Sequence, residues 1–124
     1  MSFFCRQDGL WLAPFYDLVS VVQYDGLDHE LAMAYGDEFL LPGVNPFEWA
    51  AFAHKTATPR ALLAREMRRM GNAALAAAPA QASDDTYVAG EKAFVERMSA
   101  RVQDQARRLI QMAAPMMKAD SSFL

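Results

Sequence analysis

The chain has 124 residues, 53% of them hydrophobic, and a formal net charge of −3. This length fits one domain with a modest core, and the even spread of apolar residues excludes global disorder. The acidic balance argues against direct binding of nucleic acid, which requires a basic surface. Cys5 is the single cysteine, so no internal disulfide can form, and we expect a protein of the reducing cytoplasm.

Membrane association is also not expected from the sequence. No run of about 18 apolar residues occurs, which is the length needed to span a bilayer. The N-terminus lacks the basic region and the apolar run of a secretory signal.

The first residues predict a β-hairpin. Ser2–Cys5 and Leu10–Ala13 form two apolar runs, and the Asp8-Gly9 dipeptide between them is a strong hairpin signal. An isolated two-stranded hairpin is marginal in water, so helices or a further sheet must lie behind it. Apolar residues on both of its faces predict that it is buried: Phe3, Phe4, Leu10, Trp11 and Leu12.

The stretch Leu12–Ser20 reads Leu-Ala-Pro-Phe-Tyr-Asp-Leu-Val-Ser and sets one carboxylate among large apolar side chains. Pro14 biases Ala13 toward extended geometry, so a strand ends here and Asp17 lies in the turn beyond it. A carboxylate in such surroundings must be hydrogen-bonded, paired or bound to a cation. The residues alone leave two roles open for Asp17: accepting from local backbone donors, or ligating a cation.

A second small hairpin is predicted after this motif. Val19–Tyr24 is apolar and fits either a helix or an extended segment, and Asp25-Gly26 ends it. Leu31–Tyr35 alternates larger and smaller apolar residues, which predicts a strand that ends at Gly36. Phe39–Leu41 is expected to pair with that strand.

Three helices are predicted in the remainder. Asn45 caps the first, with Pro46 and Glu48 completing a capping-box pattern, and this helix ends near Thr56. Thr58-Pro59 is a second start signal. The apolar residues of the second helix recur at helical spacing to about Ala78: Leu62, Leu63, Met67, Met70 and Ala74.

Pro79 and the Ala-Gln-Ala-Ser run after it are expected to form a linker, with Ser83 or Asp84 capping the third helix. Asp104 and Arg108 predict an i,i+4 ion pair on its solvent side. Pro115 and the two serines near the C-terminus predict a frayed tail. The stripe of this helix has a period close to 3.6 residues: Phe94, Met98, Val102, Ala106, Leu109 and Ala113.

Several of these segments, in this order, resemble the C-terminal part of the HipA-type serine/threonine kinase toxins. The family's motif is approximately L-[AT]-P-x-Y-D-[LI]-[LVM]-S, which Leu12–Ser20 matches in order and spacing. Ser2-Phe3-Phe4, the turn at Gln7–Gly9, and Glu30–Met33 followed by Gly36 extend the resemblance. It continues more loosely to about Met112.

The resemblance implies a metal-binding role for Asp17. In the family, this Asp takes the place of the Asp of the protein-kinase D-F-G motif and holds Mg²⁺ on ATP. Pro14, Tyr16 and Ser20 support the motif.

The family's catalytic loop, D-x-x-x-x-N-x-S, precedes the hairpin, and only its final Ser is present, as Ser2. The catalytic Asp, the metal-binding Asn, the phosphate loop and the lysine-bearing strand are therefore expected upstream of Met1. From this resemblance we expect the sequence to come from a gene fragment, from a frameshifted remnant, or from a start codon assigned too far downstream.

These observations together predict a mainly α fold, the helical C-terminal lobe of a HipA-like kinase with a short N-terminal β-hairpin and a second small hairpin. We expect one domain over residues 1–124, with the hairpins and the metal motif in 1–44, three helices in 45–113 and a frayed tail in 114–124. Mg²⁺ and ATP belong to the intact family, and this chain alone is expected to bind neither tightly, because one carboxylate is a poor Mg²⁺ site.

Two functional interpretations follow. The chain is either part of a kinase toxin that is inactive alone, or a helical module that binds an antitoxin or a separately encoded kinase half. Self-association that covers exposed apolar surface is a third, weaker alternative. In the family, the phosphorylated protein is typically a component of translation, and nothing in these residues encodes that choice.

Other side chains have simpler interpretations. His29, between Asp28 and Glu30, is expected in a surface loop, and His54 at an exposed position on the first helix. Eight arginines predict a solvated face, or alternatively a surface for an acidic partner or for DNA in a toxin–antitoxin complex: Arg60, Arg65, Arg68, Arg69, Arg97, Arg101, Arg107 and Arg108. The candidates for exposed apolar contact are Met116, Met117, Phe123 and Leu124.

Overall fold

A computed structural model describes residues 3–12 and 24–120, which form two β-hairpins followed by three helices. The strands are β1 (Phe3–Arg6), β2 (Gly9–Leu12), β3 (Glu30–Tyr35) and β4 (Glu38–Leu40), and the helices are α1 (Pro46–Lys55), α2 (Arg60–Ala82) and α3 (Ala89–Lys118). The prediction of a mainly helical chain with two short hairpins is confirmed. No helix in the described ranges combines the length and the apolarity that crossing a bilayer requires.

Both hairpins are antiparallel and turn at a glycine with positive φ. Phe3 pairs with Leu12 in the first hairpin, and Tyr35 pairs with Glu38 in the second. Gly9 and Gly36 have φ values of +128° and +67°, which L side chains rarely adopt. The prediction from the sequence that Gly9 and Gly36 lie at the turns of the two hairpins is therefore confirmed.

The prediction that the first hairpin is buried is wrong for the described residues. Its five large apolar side chains are between 48% and 75% exposed. The Trp11 indole N–H donates to Asp8 Oδ1 at 3.1 Å, a contact within the hairpin itself. Among the described elements, β1 and β2 pack chiefly against each other, so the surface that their apolar pattern requires is not provided by α1, α2 or α3.

Helix α1 begins where its capping residue predicts. The Asn45 side-chain oxygen accepts from the N–H groups of Phe47, at 2.8 Å, and Glu48, at 3.3 Å. Glu48 does not complete the box, because its Oε2 accepts from the N–H of Asp37 instead, at 2.8 Å. Thr56 is the C-cap, as expected.

The predicted boundary between the second and third helices is wrong. Helix α2 starts at Arg60 without a side-chain cap and continues through Pro79 to Ala82. Ser83, expected to cap the third helix, ends α2 instead, and its N–H donates to the Pro79 carbonyl at 3.1 Å. Pro79 lies in the last turn, so its missing N–H interrupts the hydrogen-bond ladder only near the helix end.

Helix α3 is also shifted relative to the prediction. It begins at Ala89, and Glu91 Oε2 accepts from the Val88 N–H at 3.2 Å. It does not end at Ala113 but runs through Pro115 to Lys118, so the frayed tail does not begin at residue 114. The fully buried Met116 side chain explains the extension, because its packing offsets the cost of a proline in the last turn.

The core lies where α1 crosses the antiparallel pair α2 and α3. Its buried members are mostly small, which lets the helix backbones approach closely. A Cβ at Gly71 would lie only 2.5 Å from Ile110 Cγ1, so α2 and α3 nearly touch there. The core cluster contains Ala50, Ala64, Met67, Ala113 and Met116, flanked by Trp49, Leu63, Leu109, Met112 and Ala119.

Gly71→Ala is expected to lower the free energy of unfolding by about 1–2 kcal/mol. The added methyl group overpacks the α2–α3 contact, and this cost exceeds the helix-propensity gain of about 1 kcal/mol. Urea denaturation followed by circular dichroism measures the change. Gly90→Ala is the matched control, because nothing lies within 4 Å of a Cβ there, and it should be neutral or slightly stabilising. Equal destabilisation of both variants would contradict the close packing.

Candidate functional site

The predicted metal motif lies outside the described residues. Asp17, Pro14, Tyr16 and Ser20 all fall within residues 13–23, so the structure does not test their roles. Within 3–12 and 24–120, no group of three His, Cys, Asp or Glu side chains is arranged to hold a metal ion.

Both histidines have the surroundings expected from the sequence. His29 is exposed in the loop before β3, and the neighbouring Asp28 Oδ1 accepts from the Glu30 N–H at 2.9 Å. Asp28 therefore satisfies a local backbone donor. His54 is exposed on α1.

The hairpin that follows the motif is fixed to α1 by polar contacts at its turn. The Lys55 ammonium donates to the Gly36 carbonyl at 3.1 Å and to Asp37 Oδ1 at 2.6 Å. Glu48 holds the Asp37 N–H from the other side of the turn. A Cβ at Gly36 would lie 2.9 Å from the Glu48 backbone oxygen, and its φ of +67° disfavours L side chains, so the position favours glycine. The turn and α1 therefore form one unit.

Aromatic rings hold the same hairpin to α1. The Tyr35 ring lies 4.5 Å from that of Trp49 and 5.4 Å from that of Phe52, centroid to centroid. Trp49 also packs against the core. These contacts connect β3, the strand nearest the motif on its C-terminal side, to the helical core.

Arg108 joins the chain before α1 to α3. Its Nη2 donates to the carbonyls of Pro42, at 2.5 Å, and Val44, at 2.8 Å, and Val44 is buried. The predicted i,i+4 pair is replaced by one between Asp104 and Arg107, at 2.7 Å. Sequence reasoning missed the role of Arg108, because its partners are backbone groups more than sixty residues away and leave no local pattern.

The other arginines divide between local pairs and backbone contacts. Arg69 and Arg65 bind Glu66, at 2.6 and 3.1 Å, and their hydrogen bonds, that of Arg69 first, lower the pKa of this carboxyl. Arg60 donates to the Ala119 carbonyl at 2.7 Å and so fastens the start of α2 to the end of α3. The exposed pairs fit the predicted solvated face, whereas Arg60 and Arg108 are structural.

The methionine predictions have mixed outcomes. Met116 is fully buried in the core, so its assignment to an exposed contact is wrong. Met117, the next residue, is exposed as expected. Phe123 and Leu124 lie outside the described residues.

One comparison with curated proteins gives a partial match. The chain is 39% identical over 69 residues to a serine/threonine-protein kinase toxin HipA of Shewanella oneidensis, which covers 56% of this chain. The match spans only 16% of that relative. It supports a relationship to HipA proteins over this part of the chain. No family model matches the sequence, and no solved structure matches it.

Arg108→Ala is expected to lower the free energy of unfolding by about 1.5–3 kcal/mol, because a charged donor to two carbonyls is lost. Arg107→Ala is the matched control, since its exposed pair with Asp104 contributes only about 0–1 kcal/mol. Urea denaturation of both variants measures the difference. If both variants lose equal stability, Arg108 does not anchor the segment before α1.

Proposed function

We propose that these 124 residues contribute the C-terminal, largely helical portion of a HipA-like serine/threonine protein kinase. The identity of 39% over 69 residues with a HipA toxin carries this proposal. The motif Leu12–Ser20 also supports it, because its order and spacing agree with the family pattern. The succession of two hairpins and three helices agrees with what the resemblance predicts for this portion.

In this proposal Asp17 is a ligand of the Mg²⁺ ion that accompanies ATP. The ion supplies neutralisation of phosphate charge when it is bound. Asp17 offers one carboxylate to it, and Mg²⁺ is usually held by one or two carboxylates together with substrate phosphates and water. Pro14 would end the preceding strand, so that the carboxylate follows a fixed chain direction.

The residues for the proton transfer are not among these 124. The sequence contains no D-x-x-x-x-N pattern, whereas protein kinases use such an Asp to accept the substrate hydroxyl proton and the Asn to hold metal. We therefore propose that this chain transfers no phosphate alone, and that sequence outside it, in the same polypeptide or a separate one, supplies the catalytic loop.

The exposed first hairpin supports the need for a further kinase segment. Phe3 and Trp11 project from adjacent paired strands with half or more of their surface exposed. Two-stranded hairpins require additional strands or a helix for stability. We propose that the hairpin joins the sheet formed by the remaining kinase sequence, which would bury both apolar faces.

A toxin–antitoxin setting in the cytoplasm is part of the same proposal. The toxin–antitoxin part rests on the name of the Shewanella oneidensis relative, a HipA kinase toxin. The cytoplasmic part rests on the single cysteine, Cys5, which suits a reducing compartment.

The test is a phosphate-transfer assay with Mg²⁺ and labelled ATP. The 124-residue chain alone should give no transfer. Joined to the segment encoded directly upstream in the genome, it should phosphorylate itself or a protein substrate, and Asp17→Asn should reduce the rate by at least about 100-fold. Asp25→Asn is the matched control, because Asp25 is an exposed aspartate in the turn after the motif and should leave the rate unchanged.

Two results would contradict the proposal. Transfer by the isolated chain that Asp17→Asn abolishes would show that no further segment is needed. Upstream DNA without an Asp/Asn loop in any reading frame, or a joined protein that Asp17→Asn does not affect, would remove the basis for assigning this chain to a kinase.

A further inference from the structure

A shallow pocket lies where the end of α1 meets the start of α2. Its volume is about 450 Å³, and it is open to solvent. Alanine and proline form its apolar part and a histidine and an arginine its polar part, since the lining residues are Ala53, His54, Ala57, Thr58, Pro59 and Arg60. Ala53 is buried, whereas His54, Ala57 and Pro59 are exposed. The pocket therefore offers apolar surface to any chain segment that reaches it.

The last described residues bring the chain close to this pocket. Helix α3 ends at Lys118, and Ala119 leaves it in an extended conformation, with φ of −60° and ψ of 134°. The Ala119 side chain packs against the core, and its carbonyl accepts from Arg60 Nη1 at 2.7 Å. Because Arg60 also lines the pocket, one arginine side chain connects the end of α3 to it.

The sequence after this point is a polar spacer followed by two large apolar side chains. Ser121 and Ser122 precede Phe123 and Leu124, and all four lie outside the described residues. Phe123 comes four residues after Ala119, and four extended residues span about 13 Å. This reach is longer than one arginine side chain, so Phe123 and Leu124 are within range of the pocket.

We propose that Phe123 and Leu124 dock in the pocket and bind the end of α3 to the connection between α1 and α2. The alanine and proline surfaces of the pocket would remove both side chains from water, and an arginine is a favourable neighbour for an aromatic ring. Docking would cost little chain entropy, because Ala119 is already held by Arg60 and only a short segment has to be ordered. This inference does not depend on the proposed kinase relationship.

The test is disulfide formation between the pocket and the tail of the full chain, with Cys5→Ser removing the native thiol. His54→Cys with Leu124→Cys sets one thiol at the pocket, because His54 is exposed and lines it. Gln81→Cys with Leu124→Cys is the matched control, since Gln81 is exposed about 30 Å further along α2 than Arg60. Oxidation under air, followed by mass spectrometry, should close the pocket disulfide at least about tenfold faster than the control disulfide.

A further pair of variants distinguishes docking from mere proximity. Phe123→Ser keeps the length of the tail but removes its aromatic side chain, so it should slow closure of the pocket disulfide by at least about threefold. Ser122→Ala changes only the spacer and should leave the rate unchanged.

Three outcomes would overturn the proposal. Equal rates for the pocket and control disulfides would show that the tail does not stay near the pocket. An unchanged rate in Phe123→Ser would show that the tail lies close by without docking. A disulfide that joins two chains in dilute solution, rather than closing within one, would show that the tail of a second copy fills the pocket.

Discussion

The close approach of α2 to α3 at Gly71 determines how the rest of the chain packs. Without a side chain there, Ile110 packs directly against the α2 backbone. The small core residues keep the two helices close together at the end where α2 begins and α3 ends. This contact forms the groove on which α1 lies. The second hairpin packs on α1 rather than on α2 or α3, through Tyr35 and the turn bound by Lys55. The position of the second hairpin therefore depends on α1, and the position of α1 depends on the pair of α2 and α3.

The first hairpin remains outside this packing. The hairpin of β1 and β2 has apolar side chains on both faces, which is typical of a strand pair inside a larger sheet. Its five large apolar side chains are between 48% and 75% exposed, and none of α1, α2 or α3 packs substantially on it. This pattern fits a strand pair that belongs to a larger sheet.

Local signals in the sequence predicted the elements better than their ends. Asn45 capped α1 and the Asp8-Gly9 turn closed the first hairpin, because these effects act within a few residues. Pro79 and Pro115 both predict helix breaks, yet both lie in the last turn of a helix, where a missing N–H removes only one hydrogen bond near the helix end. The buried Met116 side chain further stabilises the last turn of α3.

Contacts between distant residues were harder to predict. Arg108 binds carbonyls that precede α1, and no sequence spacing indicates such a contact. The assignment of Asp17 came from a resemblance rather than from periodicity. It stays a prediction, because residues 13–23 lie outside the described structure.

The strands that flank residues 13–23 are packed to different extents against the rest of the described chain. This difference bears on how Asp17 could act. On the C-terminal side, β3 is fixed to α1 by the rings of Tyr35 and Trp49 and so to the helical core. On the N-terminal side, Leu12 ends a strand whose hairpin has large exposed apolar side chains. Phosphoryl transfer depends on positioning a carboxylate against metal and phosphates to a fraction of an ångström. If the hairpin joins a larger sheet, as the proposed kinase assignment requires, residues 13–23 gain a rigid support at their second end, and under that proposal the docking of the hairpin would also place Asp17.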